Sequence, residues 1–515
     1  MTRRIVSTVL PCLLFATICF VTPSAVAEGE GSIFARLFWD ATLLRAERQE
    51  TLLLYLEDRQ NLHPELTVEL LLPEGLKLMD DATKTVSSTD WKQEKVYIGG
   101  NPPRPPVDEP YPTTQVAWRI QSDSPYSGVI TVNIAGAGID ETCRLTARFT
   151  EALEVTKADY VPEPQSVDSE RYVGMIYCPL WKPGDHYGWH MLEKSAPWRK
   201  PALGWYDESL PEVTDWEIKW NVEHGVDFIF YCWYRNYGNE GKPVEQMLSH
   251  GIHDGLFNAR YGDKIKFCIM WTNNDYSGIA SLEDLMDNLM SYWMENYFKR
   301  SNYLLIDNKP VLAVYDIRRL IKDLGSNEAV KAALDLMREK CKGEGFDGLW
   351  ILGESRHWWP EYLETMAACG FDASFAYCWN NVPDQASDEE AHDTILSNLQ
   401  KRKEWNLLPD IPTVSAMWNP NLWEQYVGNK VSTHYHISPE GFERVCRSAK
   451  ALTDSLPENS LARRMVIVDN WNEWGEGHYL APCREHGFEY LDVLRRVFTD
   501  APEAHTDLIP EDVGL

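Results

Sequence analysis

Met465-Val-Ile-Val-Asp-Asn-Trp-Asn-Glu-Trp-Gly-Glu-Gly477 is a short, continuous apolar run that breaks off into carboxylates, amides and indoles. A run of this length bounded by polar residues reads as a strand buried on both faces. A buried strand followed at once by chemically active side chains is how the C-terminal rim of a parallel β/α barrel is built.

Seven other runs share this texture: residues 173–180, 226–233, 265–271, 311–315, 348–352, 373–378 and 413–418. Helix-like stretches separate or follow them, among them 211–224, 282–298, 328–342, 362–369, 439–451 and 488–498. Eight β/α units within residues 171–500 predict a (β/α)8 TIM barrel, an α/β fold with its site at the strand ends. Tyr177 and Trp181 follow the first strand, Trp233, Tyr234 and Arg235 close the second, and Trp271, Asn273 and Asn274 close the third. Tyr315 ends the fourth strand, Glu354 follows the fifth, Trp379 the sixth, and Trp418 with Asn419 the seventh. Trp471, Asn472, Glu473, Trp474 and Glu476 follow the eighth. This mixture predicts a sugar site: aromatic faces stack on the C–H faces of pyranose rings, while amides and carboxylates hydrogen-bond hydroxyls. Most of the 21 tryptophans are expected to be core. Trp216, Trp220 and Trp293 sit in helical patterns and are read so, whereas those directly after strands are read as substrate-binding.

Upstream, residues 28–155 carry β-rich runs at 51–56, 66–72, 114–120 and 128–134 between Pro, Gly and Asp clusters. They predict a small all-β sandwich of immunoglobulin-like type, packed beside the larger domain. A polar linker, 156–170, joins the two, and 501–515 is read as a tail. Residues 1–27 run from Arg3 and Arg4 through an apolar stretch to Ala25-Val26-Ala27, the pattern of a secretory signal peptide cleaved before Glu28. The protein is therefore expected to be secreted or periplasmic. No later stretch has the 18 or so apolar residues of a membrane span.

The formal charge is −29, from 49 basic and 78 acidic residues, and it becomes −31 once Arg3 and Arg4 leave with the leader. Such a balance repels phosphate backbones and excludes nucleic acid as a partner. Without Cys12 and Cys19 the 11 cysteines become nine, an odd number in no short repeat. Cys178, Cys232, Cys268 and Cys378 lie in apolar runs and are read as small buried hydrophobes.

Glu473 and Glu476 are the candidate catalytic pair. On a helical turn, positions i and i+3 place Cβ atoms about 5–6 Å apart, near the separation of about 5–5.5 Å used by retaining glycosidases. Two carboxylates sharing a partly desolvated site repel, which keeps one of them protonated. The plainer reading of a Glu-x-x-Glu is a hydrogen bond to substrate or a helix cap. The strand before the pair and the flanking Trp471, Asn472 and Trp474 favour catalysis.

The run 465–482 resembles the end of the barrel in WbsX-like and glycoside hydrolase family 99-like proteins. Other segments agree: Gly204-Trp-Tyr-Asp207, His224-Gly-Val-Asp227 with Phe228-Ile-Phe-Tyr-Cys-Trp-Tyr234, Phe267-Cys-Ile-Met-Trp-Thr-Asn-Asn274 and Asn308-Lys-Pro-Val-Leu312. The resemblance covers residues 173–498. It implies a barrel glycosidase acting on an α-linked glycan with retention, without metal or cofactor. It also implies that Glu473 is the base that draws a proton from the sugar 2-hydroxyl, and Glu476 the general acid and then the base for water. Gly475 stands where family 99 glycosidases carry histidine, and Met417-Trp-Asn-Pro-Asn-Leu-Trp423 stands where the WbsX-like branch carries an Asp-Asn-Thr type of sequence.

Two other readings are a WbsX-like glycosyltransferase and a non-catalytic glycan-binding protein. Export argues against the first, because activated sugars are cytoplasmic; the presence of both glutamates argues against the second. His186, His190, His434 and His436 form a four-histidine set on paper, but no carboxylate completes a ligand pattern, so no metal site is expected. Ser355 lacks a nucleophile elbow, and no glycine-rich phosphate loop is present.

Overall fold

The computed structural model describes residues 32–515 apart from 80–84, 89, 98–104, 155, 185–188, 275–276, 357–358, 423–425, 427–432 and 503. The leader at 1–27 lies outside the described residues.

Strict alternation builds the N-terminal region. In Leu66–Leu71, Leu66, Val68 and Leu70 are buried while Thr67, Glu69 and Leu71 are exposed. Such a period of two presents one apolar face. Two largely antiparallel sheets supply those faces. One orders Ile33–Trp39, Gln49–Asp58, Thr113–Ser122 and Leu76–Leu78; the other orders Leu44–Arg45, Ile139–Thr150, Tyr126–Gly136, Leu66–Leu71 and Thr85–Ser88. Leu52, Leu54, Val116, Trp118, Ile130 and Val132 fill the space between.

The eight barrel strands are Tyr172–Tyr177, Phe228–Arg235, Lys266–Trp271, Lys309–Val314, Trp350–Glu354, Ala373–Phe375, Thr413–Ser415 and Met465–Asp469. Each predicted strand is present. Neighbours pair in parallel from the sixth back to the first and on to the eighth and seventh. The sixth and seventh meet through a single bridge, Ser374 to Asp410, and through Thr413, whose buried hydroxyl accepts from Ala376 N at 3.1 Å and donates to Ala376 O at 2.9 Å. Side chains thus complete the cylinder where the ladder is thinnest.

The predicted helices recur as Pro211–Glu223, Asn327–Gly343, Pro360–Ala368, Pro439–Asp454 and Glu489–Phe498, and the segment 284–298 winds through mixed π and α turns. An 18-residue helix, Asp388–Trp405, is additional. Ser387 and Glu390 form a capping box at its start. Its inward face carries Asn398 and Arg402 among Ala391, Ile395 and Leu399, which hides the amphipathic stripe in the sequence. Arg402 pairs with Asp410 at 2.8 Å and lies over the Trp379 ring.

The sandwich leans on the barrel through Phe34, Phe38 and Tyr55, which surround Trp198 at ring distances of 5.6 to 6.3 Å. Arg36 pairs with Glu485, and Arg45 with Asp512 at 2.8 Å. The expected linker is pinned along the first barrel helix: Tyr160 donates to Asp215 at 2.6 Å and the Val167 amide to Val222 O at 3.0 Å. No described helix is long and apolar enough to cross a membrane. The nine described cysteines are buried and unpaired.

Replacing Thr413 with Val keeps the volume but strands the amide and carbonyl of Ala376. A loss of about 1–3 kcal/mol is expected, read as a lower urea midpoint; an unchanged midpoint refutes closure through Thr413.

Candidate active site

The segment leaving the eighth strand folds back on itself, with Glu473 bridged to His478. Gly477 lies at φ +65°, and a Cβ there would stand 2.5 Å from Asn419 O, so this position requires glycine. Gly475 has no such constraint: a Cβ there would touch only Met191 at 3.9 Å. Its missing side chain opens the cavity instead of easing the turn.

Beneath the segment lie two buried carboxylates. Glu217 accepts from Trp471 Nε1 at 2.9 Å and from the Tyr177 hydroxyl at 3.1 Å. Burial raises its pKa to about 8. Glu208 accepts from Asn472 Nδ2 at 2.8 Å and from the Trp181 amide at 3.0 Å, and burial raises its pKa too. The Asn472 Oδ1 accepts from the Cys178 amide at 2.8 Å. Arg199 donates to Trp474 O at 2.7 Å from the other side.

A cavity of about 260 Å³ opens at the strand ends. Glu473 and Glu476 both line it, with Trp181, Tyr234, Asn274, Tyr315, Arg356 and Tyr377 around them. Glu473 is nearly closed off, 6% exposed, and Tyr377 OH donates to its Oε2 at 3.4 Å. Burial, then Cys178 and the charge of Glu476, push its pKa well above the usual carboxylate range. The Glu476 side chain is 38% exposed. Its Oε2 lies 3.2 Å from Nε2 of the fully buried His478, whose Nδ1 lies 2.5 Å from Asp469 Oδ1. Ser415 in turn donates to the other oxygen of Asp469 at 2.5 Å. Burial disfavours charge on His478, but Asp469 and Glu476 outweigh it and push its pKa up to about 10. The result is a relay from Ser415 through Asp469 and an imidazolium to Glu476.

Of the residues read as substrate-binding, Trp181, Tyr234, Asn274 and Tyr315 line the cavity. The others lie behind it, held by the protein. Trp233, Trp271, Trp379 and Trp474 donate their indole N–H groups to Tyr297, Ser277 O, Thr413 O and the Tyr206 hydroxyl. Trp471, Tyr177 and Asn472 are committed to the two carboxylates below. Arg235 is fully buried and bidentate on Asp284 at 2.7 and 2.9 Å. Asn273 exchanges two bonds with the Asp316 backbone. Glu354 receives Arg356 Nε at 3.1 Å and the Tyr377 amide at 3.2 Å. Trp418 packs on the His478 ring, 4.8 Å between centroids, and the Asn419 amide donates to Glu476 O. The tryptophans after strands are thus mostly wedges between strand tips and helices.

Arg356, Tyr377 and His478 belong to the site without standing among the expected residues. Each had a signal: Arg356 stands two residues beyond the fifth strand, Tyr377 two beyond the sixth, and His478 directly after Gly477. The paper set of histidines disperses: His190 Nδ1 accepts from the Tyr97 amide, His434 lies against Asp384 and His436 on Tyr490. His186 lies outside the described residues. A more open hollow of about 560 Å³ lies at the opposite ends of the strands, between Ser169, Arg171, Asp227 and Arg464, the barrel face associated with stability.

The family model described as Glycosyltransferase WbsX matches residues 193–494. A protein of Xanthomonas campestris pv. campestris, described as Uncharacterized protein WxcX, is 25% identical over 341 residues, covering 60% of this chain and 45% of the relative. The match thus takes in under half of the curated relative's own length. Among solved structures, the GH99 endo-alpha-mannosidase of Bacteroides thetaiotaomicron is 14% identical, with a TM-score of 0.43 over 63% of this chain and 98% of that one. Its complex with bis-tris-propane gives a TM-score of 0.42 over 61% and 87%.

The relay sets a pH dependence. His478 titrates near 10 when folded against an ordinary value of 6.5, so its stabilisation is complete below about pH 6.5 and is lost as pH rises through about 10. Asp469→Asn removes the main charge that raises it. Unfolding midpoints measured at pH 6.5 and at pH 10 are expected to differ less in the variant than in the wild type; equal differences refute the relay.

Proposed function

The chain belongs to the family described as Glycosyltransferase WbsX, and we propose that it is a glycoside hydrolase that cleaves an α-linked glycan with retention through Glu473 and Glu476. The observation that carries this is the contrast in surroundings between two carboxylates of one cavity. Glu473 is buried and holds its proton; Glu476 is open to the cavity and paired with a cationic histidine. Glycosidic cleavage needs such a pair, one group to protonate the departing oxygen and one to act as base or nucleophile.

The contrast favours Glu473 as acid and Glu476 as base, the reverse of the division the resemblance implies. Of the rings lining the cavity, the half-buried Tyr234 and Tyr315 are the ones a sugar meets, and Arg356 is a donor for its hydroxyls or a carboxylate.

The family description favours a second reading, glycosyl transfer, in which an acceptor hydroxyl replaces water. Among the described residues lining the cavity the cation is Arg356, already engaged with Glu354 and the Tyr315 hydroxyl. A nucleotide diphosphate asks for more positive charge than that, which supports hydrolysis. Export through the 1–27 leader belongs to the same proposal and is checked by mass measurement of the mature N-terminus, expected at Glu28.

Screening on α-linked glycans with Glu473→Gln and Glu476→Gln is expected to show losses of two to four orders of magnitude in kcat for both. Wild-type rates in both variants refute the pair. An aryl glycoside whose leaving group needs no proton separates the roles: the acid variant keeps its activity and the base variant does not. Proton NMR of the first-formed anomer reports retention.

A further inference from the structure

His224 caps the C-terminus of the helix Pro211–Glu223, at the end of the barrel away from the cavity. Its side chain is fully buried. The Nδ1 lies 2.6 Å from Trp220 O, which fixes that nitrogen as the donor and turns the lone pair of Nε2 inward. Metal-binding imidazoles are oriented this way, one nitrogen anchored on a carbonyl and the other presented to the ion.

Opposite it runs the segment after the last helix, bringing His505 and Asp507. Three buried atoms lack a hydrogen-bond partner here: His224 Nε2, His505 Nε2 and Asp507 Oδ1. All three lie within 4.8 Å of one another. Asp507 Oδ1 is 3.3 Å from His224 Nε2 and 3.4 Å from His505 Nε2. Buried polar atoms are partnered as a rule, and three unpartnered ones facing a single point share one missing partner. Tetrahedral zinc holds nitrogen and oxygen ligands at about 2.0–2.2 Å, so adjacent ligand atoms stand about 3.3 Å apart. The two measured separations have that value. A further carboxylate stands ready on each side: Asp492 Oδ1 lies 3.6 Å from His224 Nε2, and Glu223 Oε2 lies 3.7 Å from His505 Nε2. Glu223 is itself steadied by the Gln165 amide at 2.9 Å and by Lys219.

We propose that His224, His505 and Asp507 bind a structural divalent metal ion of the zinc type, with Asp492 or Glu223 completing the set. Two imidazoles and carboxylates are a borderline donor set suited to zinc. The ion fastens the C-terminal segment to the first barrel helix. Other ties run along the same strap: Trp220 Nε1 donates to Leu508 O at 2.9 Å, Arg495 Nε to Pro502 O at 3.1 Å, and Arg45 of the sandwich reaches Asp512. The competing occupant is a proton. Burial disfavours charge on His224, but Asp492 and Asp507 outweigh it and push its pKa up to about 9. In that case an imidazolium fills the space.

The test uses the untagged full-length chain, stripped with chelator and then given zinc chloride. Elemental analysis after gel filtration is expected to find one zinc per chain, with Tm raised by several degrees. Cobalt(II) in place of zinc is expected to give the visible absorption of a tetrahedral site. His505→Ala and Asp507→Asn should abolish retention and the Tm response while glycan turnover by Glu473 and Glu476 is unchanged. Should His505→Ala fail to fold, Asp507→Asn, which preserves shape, carries the test. A wild type that retains well under a tenth of an equivalent, or variants that retain a full equivalent, overturn the proposal.

Discussion

The loop between Asp469 and His478 holds its shape because ionisable groups are buried on both sides of it. Glu208 and Glu217 accept from Asn472, Trp471 and the Trp181 amide below, and Asp469 grips His478 within. A buried carboxylate is costly unless its oxygens are matched by donors, so each one dictates where several neighbours must stand. Glu473 inherits its protonation from this arrangement. It is shut away among groups already paired with one another, and the nearby charge of Glu476 adds to the cost of ionising it.

That constraint also explains the division between what the sequence disclosed and what it concealed. The eight strands were legible because apolar runs such as 465–469 and 228–233 leave little alternative to burial on both faces. The helix Asp388–Trp405 was less so, since Asn398 and Arg402 occupy core positions that only a tertiary partner makes tolerable. Glu473 and Glu476 stand in a motif, and both line the cavity. The residues that set their state, His478 next in line and Glu208 and Glu217 far upstream, carry no local signature. A carboxylate on a helix looks like a solvated one until the indole it serves, here Trp471, is brought to it from 254 residues away.

The tryptophans are subject to the same constraint. Type and position at a strand end bring Trp181 to the cavity, yet an indole N–H has a second use, tying strand tips to carbonyls of neighbouring segments, as Trp379 does with Thr413. Sequence shows the residue and not which way its ring turns. Cavity and scaffold draw on one composition, and the half-buried rings at the cavity are those of Tyr234 and Tyr315.

The contact around Trp198 ties the evolutionary fate of the two domains together. Phe34, Phe38 and Tyr55 hold this indole, and the next residue, Arg199, holds the carbonyl of Trp474. A gene rearrangement that carried the barrel into a new protein without its sandwich would bare an aromatic patch and slacken the chain one residue from the support of the loop between Asp469 and His478. The barrel is therefore poorly suited to shuffling as a free module. Variation at Gly475, where a Cβ meets only Met191 at 3.9 Å, leaves the seam between the domains untouched.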